Sequence, residues 1–327
     1  MLIVDGSHLL HRNLRAMIDL VNTKGLKTGG LHGFFISLGS LARKFRYNHG
    51  FIICWDEGCS KYRKSIYPTY KDGRLPGAEI SHQELDPFEV ELEKIYDYSR
   101  KLLHEALLPL CGCVSLEVKN VEADDIAAWI VNNINCEDKK ILVTSDDDWM
   151  QLIRDKVFYF NPMKNKPDGK LYDKQEFIEE RDLIPEIYKE HFLLAKSIMG
   201  DGFEAPGVKG LGKVWATRIS RIILEDGEDA LDPKKPKYKL YLDNKKDVEL
   251  SRKLVDLDLL PQEEKDKIRE EVKTMSSLTT DLSSEKLLHN KLHSMELRKA
   301  REQVSDIIDS NMKTKIQSTL KELVFNL

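Results

Sequence analysis

The chain contains 327 residues, of which 41% are hydrophobic, and its formal net charge is −4. This length and composition allow a substantial buried core, divided into one large and one smaller unit or into two to three modules. The small negative charge excludes attraction of the whole molecule to nucleic acid, although local basic patches can still attract it.

No apolar stretch approaches the roughly 20 residues that a membrane-spanning helix needs. The N-terminal sequence MLIVDGSHLLHRN also lacks the basic region and long apolar core of a signal peptide. We therefore expect a cytoplasmic protein with no membrane contact. We also expect a monomer. The cysteines are odd in number and include no paired Cys-x-x-Cys pattern, which favours reduced thiols over a zinc site or disulfides. They are Cys54, Cys59, Cys111, Cys113 and Cys136.

Four short apolar runs alternate along the chain with longer segments of helical character. The runs cover residues 2–4, 51–55, 113–118 and 141–144, and each is typical of a buried parallel strand. This alternation predicts an α/β fold with a mostly parallel central sheet flanked by helices.

Acidic residues follow all four of these predicted strands. In an open parallel sheet the carboxyl ends of the strands share one edge, so we expect the acidic side chains to converge there. Helix capping or a turn would explain one such acid, but it is a poor explanation for four strands in succession. The acids are Asp5, Asp56, Glu122, Asp124, Asp125, Asp146, Asp147 and Asp148.

This cluster requires a cation, because two unit charges about 4 Å apart repel by roughly 4 kcal/mol at an effective dielectric constant near 20. Protonation or pairing with Arg would relieve the repulsion, but Mg²⁺ or Mn²⁺ is favoured because these ions take oxygen ligands. The acidic motifs contain no His, which argues against zinc. Two such ions about 4 Å apart serve phosphodiester hydrolysis, so the cluster predicts phosphoryl chemistry on nucleic acid.

Basic residues are concentrated in two stretches. Residues 43–74 contain eight Lys or Arg against three acids, and residues 205–224 contain four basic residues and no acid. One such stretch would usually be a solvated surface, but two of them flanking acidic clusters favour contact with nucleic acid.

The sequence GVKGLGK at residues 207–213 has the spacing of a phosphate-binding loop, but Val214 stands where that loop needs Ser or Thr. Because no strand precedes it either, we reject an ATPase. The glycines instead suit a tight hairpin between two helices, whose backbone N–H groups can bind a phosphate. The alternative is a purely structural turn. The residues that would contact DNA are Gly207, Lys209, Gly210, Gly212 and Lys213.

The motifs LIVDGSHLLHR, YPTYKDGR, VEADDIAAWIV, TSDDDW and MGD followed by GVKGLG occur here in this order. Together they resemble the 5′ nuclease family of flap endonucleases and 5′-3′ exonucleases, and most closely its free-standing bacteriophage members, including phage ribonuclease H. The resemblance extends to about residue 260. It implies the cytoplasm of the host cell if the chain is encoded by a phage.

The resemblance implies two Mg²⁺ ions, for which Mn²⁺ can substitute, and a set of carboxylate ligands. Asp147 is not expected among them. This chain departs from the family where Glu204 replaces an Asp in a loop one residue shorter, which leaves the second ion's geometry open. The implied ligands are Asp5, Asp56, Glu122, Asp124, Asp125, Asp146, Asp148, Asp201 and Glu204.

The resemblance also implies a helical arch over the site, at about residues 57–100, with Lys71 and Arg74 as a catalytic basic pair. Arg12 matches a basic residue near the phosphate that is cut. Tyr70 is a candidate for stacking on a base, with ordinary core packing as the alternative. The segment around GVKGLG resembles the family's helix-hairpin-helix element, which binds duplex DNA, often with K⁺.

Beyond residue 261 the chain is highly charged and of helical character. Ile307, Ile308 and Met312 have a spacing compatible with an amphipathic helix that packs on the body of the protein. Docking of a replication partner, such as a single-strand-binding protein or a clamp, is the alternative by family analogy.

The sequence thus predicts a nuclease core of the PIN type at 1–195, a helix-hairpin-helix region at 196–260 and a charged helical region at 261–327. The predicted function is Mg²⁺-dependent cleavage of 5′ flaps, nicked or branched DNA and RNA–DNA hybrids, for primer removal in replication. One alternative is an inactive relative that only binds branched DNA. Another is a phosphatase of the haloacid dehalogenase type, but Asp5-Gly6-Ser7 lacks the second Asp which that class needs.

Overall fold

A computed structural model describes residues 1–46, 50–72, 86–134, 139–202, 204–276 and 282–314 of the chain. Arg74 lies outside these residues, as does Cys136. None of the helices within the described ranges is both long and apolar enough to cross a membrane. Cys54, Cys59, Cys111 and Cys113 form no disulfide within the described part of the chain.

One sheet of six strands forms the centre of the molecule. Its strands are β1 (Leu2–Asp5), β2 (Phe51–Trp55), β3 (Val114–Glu117), β4 (Lys140–Val143), β5 (Val157–Asn161) and β6 (Lys170–Tyr172). Their order across the sheet is β3-β2-β1-β4-β5-β6, with β1 to β5 parallel and β6 antiparallel to β5. The predicted α/β fold and its four parallel strands are confirmed, and β5 and β6 extend the sheet at one side.

Helices surround this sheet. They are α1 (Gly6–Ala16), α2 (Gly29–Lys44), α3 (Lys61–Ile66), α4 (Pro87–Leu102), α5 (Leu108–Leu110), α6 (Ala123–Asn133), α7 (Lys174–Arg181), α8 (Tyr188–Met199), α9 (Lys213–Asp226), α10 (Pro236–Asp243), α11 (Lys245–Val255), α12 (Gln262–Ser276), α13 (Leu282–Ser294), α14 (Arg298–Arg301) and α15 (Val304–Thr314). A short 3₁₀ helix at Asp147–Leu152 follows β4.

Alternate residues of β1, β2, β4 and β5 enter two different apolar cores, as expected for a sheet covered on both faces. Leu2 and Val4 of β1 lie in the core that contains α1 and α2. Ile3, between them, lies in the core that contains α6 and parts of α8 and α11. The sheet therefore separates the α1–α2 side of the molecule from the α6–α8 side.

The register of the strands places the predicted acids at one edge. Asp5 at the end of β1 is paired with Cys54 of β2, and Val4 is paired with Val143 of β4. The chain therefore leaves β1, β2 and β4 at the same level, and the residues that follow these strands meet at the carboxyl edge of the sheet.

The C-terminal helices pack on both sides of the sheet. Val272 of α12 is buried in the core on the α6 side, and Ile307 of α15 is buried in the core on the α1–α2 side. Ile308 packs partly buried beside Ile307, so the predicted amphipathic packing is confirmed for both residues. It is wrong for Met312, which is 65% exposed. The buried Asn311 accepts a hydrogen bond of 2.8 Å from the N–H of Phe51 and so ties α15 to β2.

Candidate functional site

Four aspartates, Asp5, Asp56, Asp124 and Asp146, gather at the carboxyl edge of the sheet, and we call them the inner acidic group. Asp5 caps the N-terminus of α1, where its carboxylate accepts a hydrogen bond of 2.8 Å from the N–H of His8. Its other oxygen accepts a bond of 2.9 Å from the hydroxyl of Thr144. The first strand end thus delivers a buried carboxylate with a fixed orientation.

The other three members are oriented in a similar way by single neutral donors. Asp56 accepts a hydrogen bond of 2.8 Å from the N–H of Ala123 at the start of α6. Asp146 caps the 3₁₀ helix and accepts one of 2.9 Å from the N–H of Asp148. The indole N–H of Trp149 donates to Asp124. Backbone and indole donors therefore position these carboxylates without neutralising their charge.

The inner acidic group is electrostatically unbalanced. Burial raises the pKa of Asp5 to about 8, and repulsion from Asp56 and Asp146 adds to the shift. Burial likewise raises the pKa of Asp124 well above its ordinary value, with further repulsion from Asp146, Asp56 and Asp5. Shifts of this cause and direction mark a site that would gain stability from a bound cation.

Glu122, just before α6, is neutralised by protein cations instead. The guanidinium of Arg63, on α3, lies 3.2 Å from its carboxylate, and the Lys71 ammonium lies 3.1 Å from it. Burial alone would raise the pKa of Glu122, but these two cations outweigh burial and lower the pKa.

Asp125 is not placed as a metal ligand, although its sequence position suggested one. Its side chain is fully buried, and both of its oxygens accept hydrogen bonds of 2.7 Å from Arg63. Successive residues of a helix point about 100° apart, so Asp125 faces α3 while Asp124 faces the sheet edge. Arg63 was not predicted to have a role, because nothing in the sequence distinguishes it from Lys61 and Lys64 on the same helix.

Lys71 lies beside the acids. Its ammonium bridges Glu122, at 3.1 Å, and Glu204, at 3.5 Å. The stacking prediction for Tyr70 is wrong in this structure. Tyr70 is 2% exposed within the core on the α6 side, and its hydroxyl donates a bond of 3.0 Å to Glu122. Core packing, the alternative, is what the structure has.

Asp148, Asp201 and Glu204 form a second cluster, the outer acidic group. One oxygen from each of the three lies within 4.8 Å of the others. Lys196, on α8, forms an ion pair with Asp148, and its ammonium lies 3.9 Å from an oxygen of Asp201. Lys196 was missed in the sequence, where nothing distinguishes it from the other lysines. Asp147, as expected, is not part of the group and pairs with Arg181.

The donor set of both groups fits hard divalent cations. Every member supplies carboxylate oxygens, which Mg²⁺ and Mn²⁺ prefer, and none supplies a sulfur or imidazole ligand. Within the described residues, the outer group is the set whose oxygens all lie within 4.8 Å of one another. No Lys or Arg of these residues forms an ion pair with an inner aspartate, although the nearby charge of Lys71 partly offsets the rise in the pKa of Asp124. The inner group therefore has the greater need of an external charge.

The glycine-containing loop lies between α8 and α9. Gly207 has a φ of +55° and packs on Gly200, where any Cβ would collide with backbone. Gly207 is buried, and its N–H donates a bond of 2.8 Å to Ser251. The prediction that this N–H binds phosphate is therefore wrong. Lys209, Gly210, Gly212 and Lys213 are exposed, as a nucleic-acid contact requires.

Arg12 lies on α1, on the α1–α2 side of the sheet. Its guanidinium donates to the hydroxyl of Ser37 at 3.4 Å and approaches the sulfur of Met163 at 3.6 Å. These are neutral partners, and burial lowers the pKa of Arg12.

Residues 1–182 match the family described as the 5′-3′ exonuclease, N-terminal resolvase-like domain. The chain is 29% identical over 269 residues to a 5′-3′ exonuclease of Bacillus subtilis, an alignment that covers 79% of this chain and 82% of the relative. It is also 29% identical over 273 residues to a 5′-3′ exonuclease of Aquifex aeolicus, covering 82% and 86% of the two chains. The chain therefore belongs to the 5′-3′ exonuclease and flap endonuclease family of enzymes.

Solved structures have the same fold. The 5′-exonuclease of bacteriophage T5 with bound divalent metal ions superposes with a TM-score of 0.62 at 23% identity, over 94% of this chain and 99% of the other. A flap endonuclease of the same phage, in complex with DNA and metal ions, gives 0.61 at 22% identity, over 94% and 98%. Divalent ions and DNA are thus bound by structural neighbours, and an acidic cluster is present here.

Proposed function

We propose that this chain is a Mg²⁺-dependent, structure-specific 5′ nuclease that cleaves 5′ flaps, nicked or branched DNA and RNA–DNA hybrids. The observation that carries the proposal is the convergence of carboxylates from the ends of β1, β2 and β4 and the start of α6 at one edge. The relatives named as 5′-3′ exonucleases support the direction of cleavage. Removal of RNA primers during replication is the role that this activity suits.

The inner and outer acidic groups would each hold one divalent ion, with Glu122 between them, and Mn²⁺ could replace Mg²⁺. Such ions, when bound, polarise a phosphodiester and lower the pKa of water. Asp125 is not part of the proposed ligand set, because Arg63 occupies both of its oxygens. Glu204 is retained in the outer set because its oxygen lies near those of Asp148 and Asp201.

Protein cations would act on the phosphate itself. Lys71 lies between the two acidic groups, so its ammonium can stabilise the charge that develops on a phosphate held there. Arg74, in the same motif, is proposed as its partner on the strength of the resemblance. Arg12 would contact a phosphate further along the strand, because its guanidinium lies on the α1–α2 side of the sheet.

The exposed part of the loop between α8 and α9 is proposed as a helix-hairpin-helix contact with duplex DNA. Lys209 and Lys213 supply charge, and the backbone at Gly210 and Gly212 is accessible. A K⁺ ion at this loop is part of the proposal from the resemblance. An arch for a 5′ single strand is proposed at residues 57–100, of which 73–85 lie outside the described residues. A structural role is proposed for α12 to α15.

The two alternatives have less support. An inactive DNA-binding relative would be expected to lack several acids, whereas both acidic groups are complete here. A phosphatase of the haloacid dehalogenase type would need an acid at position 7, where the hydroxyl of Ser7 accepts a hydrogen bond of 2.9 Å from the N–H of Asp56.

The test uses three substrates labelled at the 5′ end: a 5′ flap, a nicked duplex and an RNA–DNA hybrid. Each is incubated with the full chain and either Mg²⁺ or EDTA, and the lengths of the products are measured. We expect Mg²⁺-dependent products from the 5′ end. Binding of the flap without cleavage of any substrate would favour the inactive relative.

A further inference from the structure

His8, in the first turn of α1, links two of the strand ends that carry the inner acidic group. Its backbone N–H donates a hydrogen bond of 2.8 Å to the carboxylate of Asp5 at the end of β1. The Nε2 atom of its imidazole forms a second hydrogen bond, with the hydroxyl of Ser145. Ser145 directly precedes Asp146 in the segment that follows β4. His8 therefore contacts one inner aspartate through its backbone and the neighbour of another through its side chain.

Thr144 closes a circuit of hydrogen bonds between the ends of β1 and β4. Its hydroxyl donates to Asp5 at 2.9 Å and accepts a bond of 3.0 Å from the N–H of Asp146. Thr144 is 2% exposed and is held by packing, whereas Ser145 is half-buried and Asp146 is exposed. The part of this segment that carries the Asp146 carboxylate thus has little support from burial. The hydrogen bond from His8 supplies an anchor at that point.

The imidazole supports this segment without adding a charge to it. Burial and the nearby charge of Arg12 lower the pKa of His8, so the ring is neutral near pH 7. The outer acidic group is held differently, because Lys196 forms an ion pair with Asp148. A neutral support leaves the negative charge of the inner aspartates available to a cation.

The residue before His8 contacts a third strand end. The hydroxyl of Ser7 accepts a hydrogen bond of 2.9 Å from the N–H of Asp56, directly after β2. Because β1 lies between β2 and β4 in the sheet, the helix that follows β1 can reach both neighbours. The first turn of α1 therefore contacts the ends of all three strands.

We propose that His8 is a positioning residue of the inner acidic group, whose imidazole holds Asp146 in place through Ser145. This bond fixes the carboxylate of Asp146 relative to that of Asp5, and His8 itself contributes no ligand atom. The inference rests on the proposed function, in which the inner group holds a divalent ion. Loss of a group that positions a metal ligand typically costs about 10–100-fold in metal affinity or activity.

The test measures binding of Mn²⁺ to the full chain without substrate, from the electron paramagnetic resonance signal of free Mn²⁺. His8→Leu removes the hydrogen bond but keeps a side chain of comparable size. His8→Gln places an amide near the position of Nε2, where it can still bond to Ser145. We expect His8→Leu to weaken the binding of one Mn²⁺ ion by about 10–100-fold, and His8→Gln to recover most of the affinity.

Two further variants separate the hydrogen bond from general packing. Ser145→Ala removes the partner and should weaken Mn²⁺ binding as much as His8→Leu does. The double variant should lose no more than either single one, because both remove the same bond. His32→Leu is the matched control, since His32 is a half-buried histidine of α2 near Lys299, and it should bind Mn²⁺ as wild type does.

Cleavage of a 5′ flap gives a second measurement. For His8→Leu, the Mg²⁺ concentration that gives half-maximal cleavage should rise, while the rate at saturating Mg²⁺ should stay within a few-fold of wild type. A packing defect without a role in metal binding would lower the rate equally at every Mg²⁺ concentration, and that result would overturn the inference.

The inference is also overturned if His8→Leu binds Mn²⁺ as wild type does, or if His8→Leu is weakened but Ser145→Ala is not. If wild type binds Mn²⁺ but cleaves no substrate, the proposed function fails, while weaker binding by His8→Leu and Ser145→Ala would still support the positioning role. If wild type binds no Mn²⁺, both proposals fail.

Discussion

The inner and outer acidic groups lie at the same edge of the sheet, yet they handle their charge differently. The inner aspartates accept hydrogen bonds from neutral donors, such as the N–H of His8 and the hydroxyl of Thr144. The outer group has two lysines within it, since Lys196 pairs with Asp148 and Lys71 approaches Glu204. A metal ion at the outer group must therefore compete with an ammonium, whereas at the inner aspartates it would displace no ion pair formed by the described residues.

The largest effect should follow the loss of one inner ligand. Asp146→Asn or Asp124→Asn keeps the side-chain volume but removes a charged oxygen. Loss of a group that only positions a metal ligand typically costs up to about 100-fold in activity. Because Asp146 and Asp124 would be ligands themselves, we expect the rate of single-turnover cleavage to fall by more than that. DNA affinity should be largely retained. Rates are measured with saturating enzyme and affinities by anisotropy.

Asp147→Asn is the matched control for this prediction. Asp147 belongs to the same Asp-Asp-Asp triplet but pairs with Arg181 outside both acidic groups. Its substitution should leave cleavage within a few-fold of wild type. Equal turnover by Asp146→Asn and wild type would refute the assignment of the inner group.

The next largest effect concerns the cation shared by the two groups. If Lys71 stabilises charge on the phosphate being cut, Lys71→Ala should lower single-turnover cleavage by about 10²–10³-fold, the typical cost of one such donor. Duplex affinity should change far less. Lys64→Ala is the control, because Lys64 forms an exposed pair with Asp72 at 2.9 Å. Weak binding with a normal chemical step would make Lys71 an ordinary phosphate anchor.

Stability gives a third test, because an unbalanced acidic group opposes folding. The pKa of Asp5 is about 8 in the folded chain, against about 3.9 when unfolded. The folded state therefore binds the proton of the Asp5 carboxyl more tightly than the unfolded state does. The free energy of unfolding falls as the pH rises from about 3.9 through about 8. In EDTA at pH near 8, Asp5→Asn should melt at a higher temperature than wild type, by about 2–4 °C for each kcal/mol recovered.

The difference in melting temperature between Asp5→Asn and wild type should shrink as the pH falls toward about 4, where wild-type Asp5 is protonated as well. Addition of Mn²⁺ should raise the melting temperature of wild type more than that of Asp5→Asn, since the ion binds the folded state. A difference in melting temperature that does not change with pH would show that the charge of Asp5 does not destabilise the folded chain.

The sequence supplied the parts of this site that depend on strand ends. Short apolar runs followed by acids predicted β1 to β4 and the convergence of Asp5, Asp56, Asp124 and Asp146, because parallel strands impose one common edge. No acid follows the apolar run Val157–Asn161, so this pattern did not predict β5.

Side-chain partners across elements could not be predicted in the same way. Arg63 and Lys196 are ordinary basic residues in the sequence, and only tertiary packing brings them to Asp125 and Asp148. Tyr70 is buried in the core, yet its hydroxyl and the ammonium of Lys71 both reach the carboxylate of Glu122. Such directions depend on packing, which local spacing does not determine.

The smallest effect tests the glycine-containing part of the loop between α8 and α9, residues 207–213. Lys213 begins α9 and is exposed, whereas Gly207, the first residue of the GVKGLGK segment, is buried against Ser251. If Lys213 neutralises one phosphate of the duplex, Lys213→Ala should make the slope of log K against log salt shallower by about 0.9.

Gly207→Ala is a poor test of contact, since a Cβ there collides with the backbone of Gly200. Anisotropy titrations of a nicked duplex across a salt series measure the slope, with Lys299→Ala as the control. Cleavage of a short single strand, which does not reach the loop, should be unaffected. An unchanged slope and affinity for Lys213→Ala would leave GVKGLGK as a structural turn that joins two helices, and the duplex would then have to be held by other residues.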